Sequence, residues 1–82
     1  MTFESFVDIH KGDTPKEKLV LLVDTMELLG NKRVDRTDAR WRRNDDDAEY
    51  YSRECQHMIR RAKWLRSELE RILEDKTTNA DI

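Results

Sequence analysis

Residues that make turns and cross-links are scarce in this chain, which contains two glycines, one proline and one cysteine. Folds built from β-strands need frequent turns, and no stretch alternates apolar and polar residues as an exposed strand does. The single cysteine, Cys55, cannot form an internal disulfide, which favours a reducing, cytoplasmic setting. The composition therefore predicts an all-α fold.

Long hydrophobic runs are also missing. No apolar stretch approaches the roughly 18 residues that cross a bilayer, and no basic segment followed by an apolar one opens the sequence. We therefore expect no membrane partner. Only 37% of the 82 residues are hydrophobic and 41% are charged, so the core must be thin. A single domain with so thin a core is expected to complete it by oligomerisation.

The clearest positive signal is an apolar stripe with a seven-residue period between Asn44 and Asp75, a segment without glycine or proline. It predicts a C-terminal helix over 45–75 that lays a coiled-coil-like seam against a partner helix. At 1.5 Å per residue this helix is roughly 45 Å long. The seam residues are Ala48, Tyr51, Cys55, Met58, Ala62, Leu65, Leu69 and Ile72.

Two shorter helices are predicted before it. The first covers residues 3–10, between Thr2 as N-cap and Gly12. The second covers residues 15–29, because Thr14, Pro15 and Glu17 form a capping box with proline at the first helical position. Gly30 and Asn31 are the expected stop. The main apolar stripe of the second helix is Leu19, Leu22, Val23, Met26 and Leu29.

The unequal helix lengths predict self-association. A helix over 15–29 spans only about 21 Å and cannot shield the long helix. The long helix is acidic over 44–59 and basic over 60–71, so reversed copies place opposite charges together. An antiparallel dimer is therefore expected. The start of the long helix is open, at either residue 38 or residue 45, and residues 76–82 are expected to fray.

An arginine-rich segment, residues 32–43, is the first candidate binding site. Arginine forks bind phosphates and an indole can stack on a base, so the segment is suited to a nucleotide or another phosphorylated ligand. The alternative is a solvated face that pairs with acidic groups of a neighbouring chain. Nucleic acid is disfavoured because the whole chain carries a net charge of −2. The candidate residues are Arg36, Arg40, Trp41 and Arg43.

A second candidate is a row of residues on the outer side of the long helix, seven positions apart. Aromatic and arginine side chains dominate protein-binding hot spots, so this row predicts a surface for a protein partner. The interpretation that we favour is that the two short helices of the same chain pack here, because the longest helix of a three-helix chain that dimerises needs two buried faces. The row contains Tyr50, His57 and Trp64 between Arg43 and Arg71, and Arg60 and Arg61 lie beside it.

Two pairs of carboxylates form the third candidate. Asp24 and Glu27 on the second helix and Asp46 and Glu49 on the long one have i, i+3 spacing. Such pairs on neighbouring helices bind Mg²⁺ around a phosphate. The arrangement resembles the all-α nucleoside triphosphate pyrophosphohydrolases, and the resemblance covers only these four residues. It implies a Mg²⁺-dependent enzyme as the weakest of three alternatives.

The sequence as a whole predicts a non-enzymatic interaction protein: a helical adaptor, regulator or inhibitor that binds another protein as a homo-oligomer. A binder of phosphorylated ligands is the main alternative. No catalytic residue, metal site or cofactor is assigned, since Cys55 lacks the surroundings of a nucleophile and belongs to the seam.

Overall fold

The computed structural model describes the backbone of residues 1–80 and the side chains of residues 1–75. In this part the regular elements are three α-helices: α1 is Phe3–His10, α2 is Pro15–Trp41 and α3 is Asp45–Ala80. α2 and α3 form a long hairpin, and α1 lies mainly on α3. The predicted all-α class is confirmed. None of these helices, over the residues described, is long and apolar enough to cross a membrane.

Threonine caps fix the beginnings of the first two helices as predicted. The Thr2 hydroxyl accepts a hydrogen bond from the backbone N–H of Ser5 at 3.1 Å. The Thr14 hydroxyl accepts one from the Glu17 N–H at 3.1 Å, and the Glu17 carboxylate accepts one from the Thr14 N–H at 3.3 Å. Both halves of the capping box are therefore formed, and Pro15 opens α2.

The predicted end of α2 at Gly30 and Asn31 is wrong, because the helix runs through both residues to Trp41. Gly30 does not take the left-handed conformation that would end a helix. Glycine costs a helix interior only about 1 kcal/mol relative to alanine. The buried side chains of Leu29 and Ala39, on either side of the glycine, offset that cost by packing in the hairpin.

The chain reverses instead at Arg42, Arg43 and Asn44. Arg43 has φ 54, in the left-handed region. The Asn44 N–H donates to the Ala39 carbonyl at 2.9 Å, and the Arg43 N–H donates to the Arg40 carbonyl at 3.1 Å. This pair of bonds is a Schellman motif, in which the left-handed position is usually glycine.

α3 begins afresh after this turn, which resolves the choice between the two predicted starts. The Asn44 side-chain oxygen accepts a hydrogen bond from the Asp47 N–H at 3.2 Å, as an N-cap does. α3 then continues to Ala80, beyond the predicted end at Asp75. The backbone of residues 76–80, where fraying is expected, is helical, and residues 81–82 lie outside the described part of the chain.

The predicted seam of α3 packs inside the chain, against α2. Ala48, Cys55, Ala62 and Leu65 are buried, and the other four seam residues are half-buried. The argument from unequal lengths is wrong, because the 27 residues of α2 span about 40 Å and cover most of α3. Self-association therefore stays a prediction and needs a different surface.

Candidate protein-binding surface

The face of α2 that points away from α3 carries a continuous row, which we call the outer stripe. Its spacing repeats every eleven residues, close to three whole turns, so the row runs nearly straight along the helix. All of its members are exposed. The outer stripe consists of Leu19, Val23, Met26, Gly30, Val34, Thr37 and Trp41.

Large apolar side chains dominate this exposed row. Leu19, Val23, Met26, Val34 and Trp41 are between 53% and 84% exposed. Three of them belong to the apolar stripe that the sequence assigned to the second helix. Of that predicted stripe, only Leu29 is buried and Leu22 is half-buried. The apolar side of α2 is thus largely turned to solvent.

Polar residues occupy much of the opposite, inner face of α2. Positions 18, 22, 25, 29, 32, 36 and 39 point toward α3 with alternating spacings of four and three. Lys18 and Thr25 are buried there. The Lys18 ammonium donates to the Lys11 carbonyl at 3.2 Å and to Glu68 Oε1 at 3.5 Å, and the Thr25 hydroxyl donates to the Leu21 carbonyl at 2.7 Å. The two buried polar residues, Lys18 and Thr25, both have hydrogen-bond partners, so this orientation of α2 is tenable.

Gly30 lies at the middle of the outer stripe, and because it has no side chain the helix surface is flat at this position. A Cβ atom built at Gly30 would meet no atom within 4 Å. Neither a left-handed backbone nor a close neighbour in this chain therefore requires glycine here. A small residue on a helix face allows another helix backbone to approach closely, as at the crossing points of tightly packed helices.

The molecule has more accessible surface than its mass predicts. A compact monomer of 9.9 kDa should expose about 5,200 Å², whereas this chain exposes 6363 Å². Its radius of gyration is 16.2 Å, against about 12 Å for a compact domain of this length. The difference in area, about 1,200 Å², exceeds the roughly 800 Å² that one partner contributes to a standard interface.

An apolar hollow lies at the N-terminal end of the outer stripe, between α2 and the C-terminal half of α3. Its volume is about 300 Å³. Pro15 and Leu19 line it from α2, and Leu69 and Ile72 line it from α3, with Lys16 and Leu73 completing the wall.

The hairpin end carries the predicted arginine cluster. Arg40, Trp41 and Arg43 line an open hollow of about 430 Å³ at the turn. Arg42 instead pairs with Asp38 at 3.1 Å. Arg36 lies apart from the others, half-buried on the inner face of α2, and no hydrogen-bond partner is found for its Nε.

The predicted outer row of α3 is divided between two environments. Tyr50 is exposed and packs its ring edge-on against Tyr51, with centroids 5.3 Å apart. His57 is exposed. Trp64, in contrast, is half-buried and packs edge-on against Phe6 of α1, with centroids 5.8 Å apart. Arg71 pairs with Glu68 at 2.7 Å.

Arg60 and Arg61 also hold α1 in place. The Arg60 guanidinium lies 4.1 Å from the centroid of the Phe3 ring, and that of Arg61 lies 5.0 Å from the Phe6 ring. Arg61 further donates a hydrogen bond to the Met1 carbonyl at 3.2 Å. For Trp64 and these two arginines the favoured interpretation, packing of a short helix of the same chain, describes the observed contacts. They anchor α1 on α3.

The two carboxylate pairs do not converge. The contact between Lys18 and Glu68 sets the hairpin register, which puts Asp24 opposite approximately residue 62 of α3. Asp46 lies in the first turn of α3, about 24 Å away along the helix. Within the described residues no group of three or more histidine, cysteine, aspartate or glutamate side chains is arranged to hold a metal. The Mg²⁺ arrangement inferred from the spacing is therefore wrong.

Comparison of the chain with protein-family models, with curated proteins and with solved structures gave no match. The function of the chain is therefore inferred from its own surfaces.

The outer stripe is not visible when α2 is expected to end at Gly30, because half of the stripe then lies outside the helix. The signal that identifies it is the eleven-residue spacing, which relates Leu19 to Gly30 and Trp41, Val23 to Val34, and Met26 to Thr37. A seven-residue template does not detect this pattern, because it loses register after Met26.

Proposed function

We propose that this chain is a small non-enzymatic interaction protein, an adaptor, regulator or inhibitor, that binds another protein and acts as a homo-oligomer. One observation supports this proposal above the others: no element among the described residues covers the apolar outer stripe of α2. Soluble monomers rarely expose contiguous apolar patches of more than a few hundred Å², and larger patches mark interaction sites.

Removal of the exposed apolar side chains of the stripe from water favours binding. Each Å² of apolar surface removed from water stabilises a complex by roughly 25 cal/mol before the costs of association. A stripe of 23 residues is about 33 Å long, the length of an ordinary helix–helix interface. The stripe is therefore a suitable surface for helix-to-helix docking.

The hairpin end is suited to the second role, contact with a different protein. Residues 32–43 contain six basic and two acidic side chains, and Arg40 and Arg43 are exposed at the turn. Arginine is one of the residue types most enriched in binding hot spots. The partner surface expected here is acidic, since complementary charge increases the association rate and the specificity.

Partner capture with charge-reversal variants tests this role. Arg40→Glu with Arg43→Glu reverses the hairpin end, and Arg53→Glu with Lys63→Glu makes the same charge change at exposed positions elsewhere on α3. We expect a partner retained by the native chain and by the control to be lost from the hairpin-end variant. Equal capture by all three proteins, or no specific partner for any of them, would contradict the proposal.

A phosphorylated ligand is a second candidate for the same hollow. It is favoured by the convergence of Arg40 and Arg43 on a space of about 430 Å³ beside an indole. Thermal melts against a panel of nucleotides test this candidate, because a ligand that binds only the folded chain raises the melting temperature. An increase abolished by the Arg40→Glu/Arg43→Glu variant would favour the ligand over the acidic protein.

A further inference from the structure

We infer that the outer stripe of α2 docks on the same stripe of a second copy, with the two helices antiparallel and a two-fold axis passing beside Gly30. This inference rests on the proposed function, because it names the occupant of the surface that supports that proposal. The argument depends on three properties of the described residues: area, self-complementarity and the position of the hollow.

The area argument favours a second copy over a short peptide. The chain is elongated, with extents of 58 × 23 × 14 Å, and therefore exposes about 1,200 Å² more than a compact protein of its mass, which is enough surface for one side of a standard interface of roughly 800 Å². A partner helix must also be as long as the stripe to cover it from Leu19 to Trp41. α2 of a second copy has this length.

Self-complementarity follows from the spacing. A two-fold axis beside Gly30 places residue i of one copy level with residue 60 − i of the other, which brings Gly30 next to Gly30. Val23 then lies level with Thr37 of the second copy, and Met26 lies level with Val34. Both pairs have side chains that pack without burying a charge. The flat position at Gly30, open above its Cα, falls where the two backbones come closest.

The same axis explains the two ends of the stripe. Trp41 of one copy lies level with Leu19 of the other, and Leu19 forms a wall of the apolar hollow of about 300 Å³. The indole therefore covers Pro15, Leu19, Leu69 and Ile72 of the second copy. This contact occurs twice in the dimer and buries an indole that is 84% exposed in the single chain.

The arrangement leaves each hairpin end accessible. Arg40 and Arg43 flank the stripe near its end, and the axis sends the two hairpin ends in opposite directions. A dimer built in this way presents two basic clusters, one at each end, for the partner proposed above.

Sedimentation equilibrium of four variants tests the inference. We expect the native chain to be a dimer at micromolar concentration, with twice the chain mass of 9.9 kDa. Val23→Glu places a carboxylate in the centre of each half-interface and should raise the dissociation constant at least about tenfold. Asp35→Lys makes a comparable change on an exposed part of α2 about 140° from the stripe, and should leave the dimer unchanged.

A paired variant tests the register. Thr37→Lys alone should also weaken the dimer, whereas Val23→Glu with Thr37→Lys in one chain should restore it, because each glutamate then lies level with a lysine of the other copy. A parallel pair would place like charges together and give no rescue. Circular dichroism of every variant confirms that the chain remains helical.

Four results would overturn the inference: a monomeric native chain, a Val23→Glu chain that dimerises as the native one does, an Asp35→Lys chain that does not dimerise, or a helical double variant that stays monomeric. These results are separate from failure of the proposed partner, which is measured by capture with variants of Arg40 and Arg43. A chain that dimerises but captures no protein would contradict the partner and leave the dimer supported.

Discussion

The ammonium of Lys18 lies 3.5 Å from Glu68 Oε1, and this buried pair joins α2 to α3 across 50 positions of sequence. The same ammonium donates to the Lys11 carbonyl just after α1 and lies 5.9 Å from the centre of the Trp64 ring. The Arg71 guanidinium donates a hydrogen bond to the other carboxylate oxygen, Glu68 Oε2, at 2.7 Å. One lysine therefore connects all three helices at the end of the hairpin opposite the turn.

Replacement of this lysine should destabilise the fold. Lys18→Met keeps the apolar stem but leaves the Lys11 carbonyl and one oxygen of Glu68 without their charged donor. The expected loss is about 1–3 kcal/mol of unfolding free energy, measured by urea denaturation at fixed protein concentration. Lys63→Met, on an exposed position of α3, is the control and should change stability by less than about 0.5 kcal/mol. Equal effects of the two replacements would show that the buried pair has no special role.

Substitution of Arg43, the left-handed residue of the turn, should instead increase the unfolding free energy. Arg43→Gly removes the strain of a side chain at φ 54 and should raise the unfolding free energy by about 1 kcal/mol. Arg42→Gly, in the right-handed region at φ −80, should lower it by a similar amount. The comparison is made by thermal and urea unfolding of both variants. A loss of stability in Arg43→Gly would mean that the turn differs from the Schellman motif described above.

Gly30 allows a test of the continuous α2. Because the helix passes through Gly30 and a Cβ there meets no atom of the same chain within 4 Å, Gly30→Ala in the Val23→Glu chain, where no second copy docks on Gly30, should stabilise the fold by about 0.5–1 kcal/mol. The predicted stop at Gly30 gives the reverse expectation, since alanine in a left-handed cap costs about 1 kcal/mol. Urea unfolding monitored by circular dichroism distinguishes the two. Asn31→Ala, one position further along the same helix, controls for a general gain in helix propensity.

Much of the local structure could be predicted from the sequence. The beginning of α1 at Thr2, the capping box of Thr14 and Glu17, and Asn44 as one of two possible starts all depend on hydrogen bonds between residues three positions apart. Spacing of this kind is visible in a sequence.

The rest could not be predicted, because it depends on distant contacts. From the sequence alone Gly30 predicts the end of a helix, because the packing of Ala39 beyond it is not visible there. Lys18 likewise predicts a side chain exposed to solvent, because the sequence does not show that Glu68 lies beside it. The orientation of α2 follows from these two facts, and the outer stripe follows from that orientation. The candidate site was therefore predicted at the arginines of the hairpin end and missed along α2.

Trp41 should report self-association by fluorescence. Its indole is exposed in the single chain and covers the hollow beside Leu19 of the second copy in the proposed dimer. In a Trp64→Phe chain, where Trp41 is the remaining tryptophan, emission should shift to longer wavelength on dilution as the dimer dissociates. The same dilution of a Trp41→Phe chain reports Trp64, which packs against Phe6 within one chain, and should leave its emission unchanged. An emission maximum of the Trp64→Phe chain that does not vary with concentration would contradict the docking of Trp41.

The most direct test of the account is a pair of distances between copies, measured by pulsed electron resonance on spin-labelled chains in which Cys55 is replaced by alanine. A label at Asn31, beside the proposed axis, should lie within about 20 Å of its equivalent in the second copy. A label at Glu17, thirteen residues before Gly30, should lie roughly 40 Å from its equivalent. Absence of any dipolar signal between copies, or a shorter distance for Glu17 than for Asn31, would contradict the antiparallel docking of α2 around Gly30.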